Sequence, residues 1–243
     1  MKAWAGAGVR VWSVLVDPSG SVKKTLQEPA PAATLIWIAA LAAAVSALCL
    51  PRQFEILERV LVPVGDPFLD LKSEIMAEGL RRFILADRLL LPPTVVLAAV
   101  LLAGAAEPVL ALSQNRRPAL WAVAFIGLAP VLLQRLGEVA ITYWVSSGTG
   151  GVADAINLPR QFSTGPDLLW LGGSPPEWIG SLSQKVNLVS LWSVALWSLG
   201  LRELEGRGFS AWQLTLPLGV LAVATAITWW LSPIVIPLVL GRP

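Results

Sequence analysis

The sequence contains no histidine and a single cysteine, Cys49. The lack of histidine removes the most common general acid or base near neutral pH, and it removes histidine-based metal sites. One cysteine cannot form an intramolecular disulfide, and without histidine it has no partner for a cysteine–histidine nucleophile. Cys49 ends an apolar run, which predicts a packed thiol. We therefore expect no enzymatic activity, no cofactor and no bound metal.

Charged residues are also scarce. They make up 14% of the chain, whereas a soluble domain has about 25%, and 55% of the residues are hydrophobic. The mean hydropathy is +0.67, and the net charge of +2 gives no reason to expect a nucleic-acid partner. No phosphate-binding Gly-Lys-Ser/Thr loop is present, and we interpret the glycines at 148–151 as a flexible turn. The composition predicts an integral protein of the lipid bilayer.

The apolar runs predict an all-α bundle of five transmembrane helices, because a span needs about 20 apolar residues. The predicted spans cover about 32–50, 94–113, 119–143, 186–201 and 211–230. Residues 1–31 are expected to form a cytoplasmic N-terminal arm with interfacial helices, and 32–243 the membrane domain. The tail from 231 to 243 either extends the fifth span or re-enters the membrane.

Two long loops separate the predicted spans. The first, 52–91, is rich in charge, yet Leu69, Met76, Leu80 and Phe83 recur at helical spacing. This pattern predicts an amphipathic helix from about Pro67 to Leu90, outside the cytoplasm. The second loop, 146–185, contains many glycines and prolines, and we expect it to be irregular.

Basic residues assign the two sides of the membrane. The N-terminal arm contains four of them, and the two short turns contain Arg116 with Arg117 and Arg202 with Arg207. In a five-span chain these segments share one side, whereas the first long loop has six basic and seven acidic residues. The positive-inside rule therefore places the N-terminus in the cytoplasm and the C-terminus outside. The composition is typical of a bacterial inner membrane protein.

Charged residues within the predicted spans are the main candidates for a functional site. Glu107 is in span two, and Gln134, Arg135 and Glu138 follow one another on one helix in span three. A charge at the bilayer centre costs about 2.5–3.5 kcal/mol, so such residues are expected to pair. This polar cluster is either a polar pathway or docking point, or an internal salt bridge.

The turn between spans four and five contains Arg202, Glu203, Glu205 and Arg207. Its mixed charges predict a solvated turn with local ion pairs. A contact with a cytoplasmic partner is the alternative.

Patterns along most of the chain resemble the YIP domain family, the Ypt/Rab-interacting proteins and their prokaryotic relatives. The arm contains Leu-Val-Asp-Pro at 15–18, Leu26 and Pro29 before span one. The C-terminal part contains Asn-Leu-Val-Ser-Leu-Trp at 187–192, Gly-Leu at 200–201 and Gly-Phe-Ser-Ala at 208–211, which is similar to the hairpin of that family's last two spans.

The resemblance implies a non-enzymatic membrane scaffold or accessory subunit of a larger membrane complex, of which an ABC-type exporter is one example. The partners expected are the bilayer and another integral membrane protein, and an oligomer is compatible with this reading. The alternative function, suggested by the intramembrane charges, is a small transporter or channel component.

Overall fold

The computed structural model describes residues 2–61, 67–144, 186–206 and 208–239, and all regular structure in these ranges is helical. The predicted irregular loop at 146–185 and Arg207 lie outside the described residues. In chain order the helices are α1 (Lys2–Val16), α2 (Pro18–Gln27), α3 (Pro31–Ala47), α4 (Leu50–Val60), α5 (Pro67–Leu89), α6 (Pro93–Leu110), a 3₁₀ turn (Gln114–Arg116), α7 (Arg117–Ile126), α8 (Val131–Trp144), α9 (Leu188–Glu205) and α10 (Trp212–Val239).

Local sequence signals explain where several helices begin. Proline occupies one of the first two positions of α2, α3, α4, α6 and α7. There its fixed φ suits the helix and its missing N–H is not needed. The Asp17 side chain accepts a hydrogen bond from Gly20 N at the start of α2. Asn187 and Ser190 form a reciprocal capping box at the start of α9.

The chain is an integral membrane protein with three or four candidate spans among the described residues. Ser73–Leu110, Gln114–Trp144 and Trp212–Leu231 are long and apolar enough to cross a membrane. A fourth candidate combines Pro31–Ala47 with Leu50–Arg59, which meet at a bend of 41°. Helix α9 covers the fourth predicted span, but its serines and its charged C-terminal end keep it from meeting the same criteria. The count of five spans stays a prediction.

The helix formed by α7 and α8 lies at the centre of the bundle. In its most apolar 18-residue segment 72% of the residues are buried, compared with 28% in the corresponding segment of Ser73–Leu110 and 22% in that of Trp212–Leu231. The N-terminal helices α1 and α2 belong to the same core, because Val11, Val14 and Val22 are fully buried in it. The arm therefore packs on the bundle, with α1 against α3 and α2 against α7 and α9.

The predicted first long loop contains two helices, of which the sequence analysis predicted one. Helix α5 occupies Pro67–Leu89, where the amphipathic helix is predicted, and the side of the membrane on which it lies stays a prediction. Residues Leu50–Val60 also form a helix, α4, which the sequence analysis did not predict. The two pack through a small separate core of Ile56, Leu57 and Ile84. Together they form a hairpin, called here the α4–α5 hairpin.

The α-helical hydrogen-bond pattern is interrupted at residues 127–130, between α7 and α8, where Pro130 lies. Leu128 N donates to Phe125 O rather than continuing the α-helical pattern, which leaves Ala124 O without a helical partner. The indole Nε1 of Trp197, from α9, donates to Ala124 O at 2.9 Å. Trp197 is completely buried. A Cβ atom at Gly127 would overlap its indole ring, so only glycine permits this contact.

We predict that Gly127→Ala lowers the free energy of unfolding by about 1–3 kcal/mol, because the added methyl group forces Trp197 away from Ala124. Gly104→Ala is the matched control, since a Cβ atom there meets no neighbour within 4 Å. It is expected to be neutral or to stabilise α6 slightly. Thermal unfolding of the purified protein in mild detergent measures both, and equal effects would contradict the packing at Gly127.

Candidate functional site: a buried arginine–glutamate cluster

Glu138 of α8 is the centre of a buried polar cluster. Its Oε2 lies 2.5 Å from Nη1 of Arg88 and 2.9 Å from Nη1 of Arg135. Its Oε1 accepts a hydrogen bond from Gln134 Nε2 at 3.2 Å. Arg88, Arg135 and Glu138 are each at most 5% exposed. Because Gln134 and Arg135 precede Glu138 by four and three residues, helix geometry alone brings both of them next to Glu138.

The two arginines join α8 to the end of α5. Arg88 also pairs with Asp87, so two guanidinium groups face two carboxyl groups and the formal charges balance. Nη2 of Arg135 donates to the carbonyl oxygens of Asp87 and Leu90, at 3.0 and 3.2 Å. These are carbonyls at the C-terminal end of a helix, where hydrogen-bond partners are missing and a positive charge is favourable. Arg135 therefore caps α5.

A second set of contacts joins α8 to the bend between α3 and α4. Tyr143 Oη donates to Leu48 O at 2.7 Å. Thr142 Oγ1 also donates to Glu138 O, within α8, at 2.6 Å. The sulfur of Cys49 lies 3.5 Å from Thr142 Oγ1 and is buried, in keeping with the predicted packed thiol. The residues directly before α4 and the C-terminal end of α5 are thus both attached to α8.

Glu107 does not belong to the cluster, although the sequence analysis grouped it with Gln134, Arg135 and Glu138. Its Oε1 lies 2.8 Å from Nε of Arg117, and the two side chains are 31% and 51% exposed. The depth of Glu107 within α6 suggested an interior position. Arg117 reaches it from just beyond the turn that follows α6.

Sequence reasoning missed Asp87 and Arg88 because they were assigned to a surface helix. Their position in the sequence could have identified them, because this charged pair directly precedes the apolar run 89–91 and Pro92-Pro93. Arg88 and Glu138 are 50 residues apart in the sequence, so no local sequence pattern reveals their contact.

The predicted contact turn between α9 and α10 carries local interactions. Arg202 Nη2 lies 3.6 Å from Glu203 Oε1, in a partly exposed pair. Glu205 accepts a hydrogen bond from Gln213 Nε2 at 2.6 Å. Gly206, with a φ of +69°, ends α9 in the left-handed conformation that glycine favours. Arg207 lies outside the described residues. The arrangement has the features of a solvated turn, and a partner contact there stays a prediction.

The centre of the cluster is buried, and its edge at Asp87 is partly exposed. Two cavities, one between α4 and α5 and one between α6 and α10, have linings that share no residue with it. No group of three or more His, Cys, Asp or Glu residues that could hold a metal ion occurs among the described residues. The cluster joins α8 to the C-terminal end of α5 through buried ion pairs and hydrogen bonds.

Comparison of the chain with protein-family models, with curated proteins and with solved structures found no match.

Proposed function

We propose that this chain is a non-enzymatic membrane scaffold or accessory subunit of a larger membrane complex, with an ABC-type exporter as one candidate complex, and that it belongs to the YIP domain family. The observation that carries the proposal is the buried cluster around Glu138, in which two arginines pair with two carboxylates. A transport pathway needs polar groups that water or cargo can reach, whereas Arg88, Arg135 and Glu138 are each at most 5% exposed. Burial of matched charges suits a brace that holds a binding element in place.

An apolar groove between α6 and α10 supplies a surface for a partner helix. It has a volume of about 530 Å³ and lies between two candidate spans that are both less buried than the span formed by α7 and α8. Its lining consists of Leu101, Ala105, Val109, Trp212, Thr215, Leu216, Gly219, Val220 and Val223. Ala105 and Gly219 are small, and small residues allow transmembrane helices to approach closely. We propose that a transmembrane helix of the partner occupies this groove.

Ala105→Leu is expected to reduce the fraction of the chain that co-purifies with its partner from native membranes, because leucine fills the groove. Ala222→Leu is the matched control. It makes the same change on α10, at an exposed position outside the groove lining. Quantitative mass spectrometry of digitonin extracts measures the loss. Equal co-purification of the two variants would exclude the groove as the docking site.

We further propose the five-span topology, with α9 as a span, the N-terminus in the cytoplasm of a bacterial cell and the α4–α5 hairpin outside. The support is the distribution of basic residues, with Lys23, Lys24, Arg116 and Arg202 all exposed or at turns. Cysteines placed at two exposed positions, Asn115 and Glu74, test it. A membrane-impermeant maleimide should label Glu74→Cys in intact cells and Asn115→Cys only after permeabilisation. The reverse pattern would invert the topology.

The alternative function, a small transporter or channel component, has one observation in its favour, the burial of Glu138 between two arginines. A flux assay of the purified protein in liposomes distinguishes the two functions. A transporter would show flux that Glu138→Gln abolishes while the protein remains folded. A scaffold shows no such flux in either form.

A further inference from the structure

A cleft between α4 and α5 lies outside the core of the membrane bundle. Its volume of about 370 Å³ falls within the range of 300–1,000 Å³ that is usual for ligand sites. It is lined by Leu57, Glu58, Leu61, Ser73, Glu74, Ala77, Glu78 and Arg81. The hairpin core of Ile56, Leu57 and Ile84 supports it, so the cleft is part of a packed element.

The charges around the cleft are unequal. Among the described residues that line the cleft, three carboxylates face one guanidinium, and Arg81 is already paired with Glu58, with 3.1 Å between Nη2 and Oε1. Glu78 is paired with Arg82, which does not line the cleft. No ion pair of Glu74 occurs in the described part of the chain, and Glu74 is exposed. The described lining therefore combines apolar side chains with one unpaired carboxylate, that of Glu74.

These features select the chemistry of the occupant. Leu57, Leu61 and Ala77 offer apolar contact, and the carboxylates offer hydrogen-bond acceptors to a cation. A metal ion is not favoured, since the carboxylates do not form a group of three or more that could hold one among the described residues. An anionic lipid headgroup would meet the unpaired carboxylate of Glu74. A protein segment with a lysine or arginine next to an apolar side chain complements both the carboxylates and the apolar side chains of the cleft.

We propose that the α4–α5 cleft docks a segment of the partner protein that presents a basic side chain beside an apolar one. This inference rests on the proposed scaffold function and adds the chemistry of the contact. The buried cluster around Glu138 gives the cleft its fixed position, because Arg135 and Arg88 attach the end of α5 to α8. The partner would thus be held at two places, a helix in the membrane groove and a basic segment on the hairpin.

The test uses the full chain in nanodiscs of zwitterionic lipid and two fluorescein-labelled peptides, Leu-Lys-Leu-Lys-Leu and Leu-Glu-Leu-Glu-Leu. Fluorescence anisotropy should show binding of the basic peptide, with empty nanodiscs as the background, and none of the acidic one. Glu74→Gln should weaken that binding roughly two- to fivefold, the usual effect of one exposed charge pair. Ala77→Trp, which fills the cleft, should remove it.

Glu55→Gln is the matched control. Glu55 also lies on the hairpin, but it is paired with Arg52 and Arg59 and does not line the cleft. Equal binding of the two peptides, or equal weakening by Glu55→Gln and Glu74→Gln, would overturn the proposal. If the peptides bind alike while Ala105→Leu still releases the partner, the cleft proposal fails and the scaffold function stands. If the basic peptide binds selectively but the chain has no membrane partner, the scaffold function fails instead.

Discussion

Glu138→Gln is expected to lower the free energy of unfolding by about 3–5 kcal/mol, the usual cost of removing one partner of a buried ion pair. Glutamine keeps the size of the side chain but leaves Arg88 and Arg135 buried with a single carboxylate, that of Asp87. The desolvation of the two guanidinium groups is then no longer compensated. Unfolding of the detergent-solubilised protein, followed by thermal melting or by added SDS, measures the change.

Glu107→Gln is the control for Glu138→Gln, because it makes the same change in a partly exposed ion pair. Pairs of that kind contribute about 0–1 kcal/mol. A loss at Glu107 as large as that at Glu138 would show that the cluster has no special structural role. In the sequence both residues are glutamates within predicted spans, so the expected difference arises only from their different environments in the fold.

Trp197→Ala is expected to cost about 3–5 kcal/mol, since it removes the largest fully buried side chain from the core. It also leaves Ala124 O without the hydrogen bond that replaces the missing helical one. Trp197→Phe should cost less, about 1–3 kcal/mol for the unsatisfied carbonyl. The same unfolding measurement in mild detergent applies.

The matched control is Trp192→Ala, on the same helix and five residues earlier, where the side chain is 41% exposed. Substitutions at exposed positions usually change stability by about 0.5 kcal/mol or less. If Trp197→Ala and Trp192→Ala unfold at the same temperature, α9 does not pack on the interruption between α7 and α8 in the way described.

Much of the helical layout follows from the sequence, because apolar runs, prolines and capping residues are local signals. The runs that became α3 and α6 were predicted close to their observed bounds, and so was the start of α10, whose helix continues beyond the predicted end at 230. The tail shows a limit of this reasoning. The sequence left open whether 231–243 extends the fifth span or re-enters the membrane. Helix α10 continues through Val239, and the position of this segment relative to the membrane stays a prediction. Helix α4 was missed because its charged residues resemble those of a loop.

The candidate site was predictable only in part. Gln134, Arg135 and Glu138 lie on one turn of a helix, and their spacing brings them together whatever the rest of the chain does. The contacts of Arg88 with Glu138 and of Arg135 with the end of α5 depend on how distant helices pack. Glu107 shows the same limit, since counting residues gave its depth in the helix but not the arginine beside it.

The central claim, that the chain works as part of a larger membrane assembly, is tested most directly by the size and composition of the particle that contains it. Native mass spectrometry of the tagged chain, gently extracted from its own membrane, gives both. The scaffold account predicts a particle well above the 25.9 kDa of the chain alone, with a second integral membrane protein at a fixed ratio. A particle containing only this chain, together with liposome flux that Glu138→Gln abolishes, would contradict it.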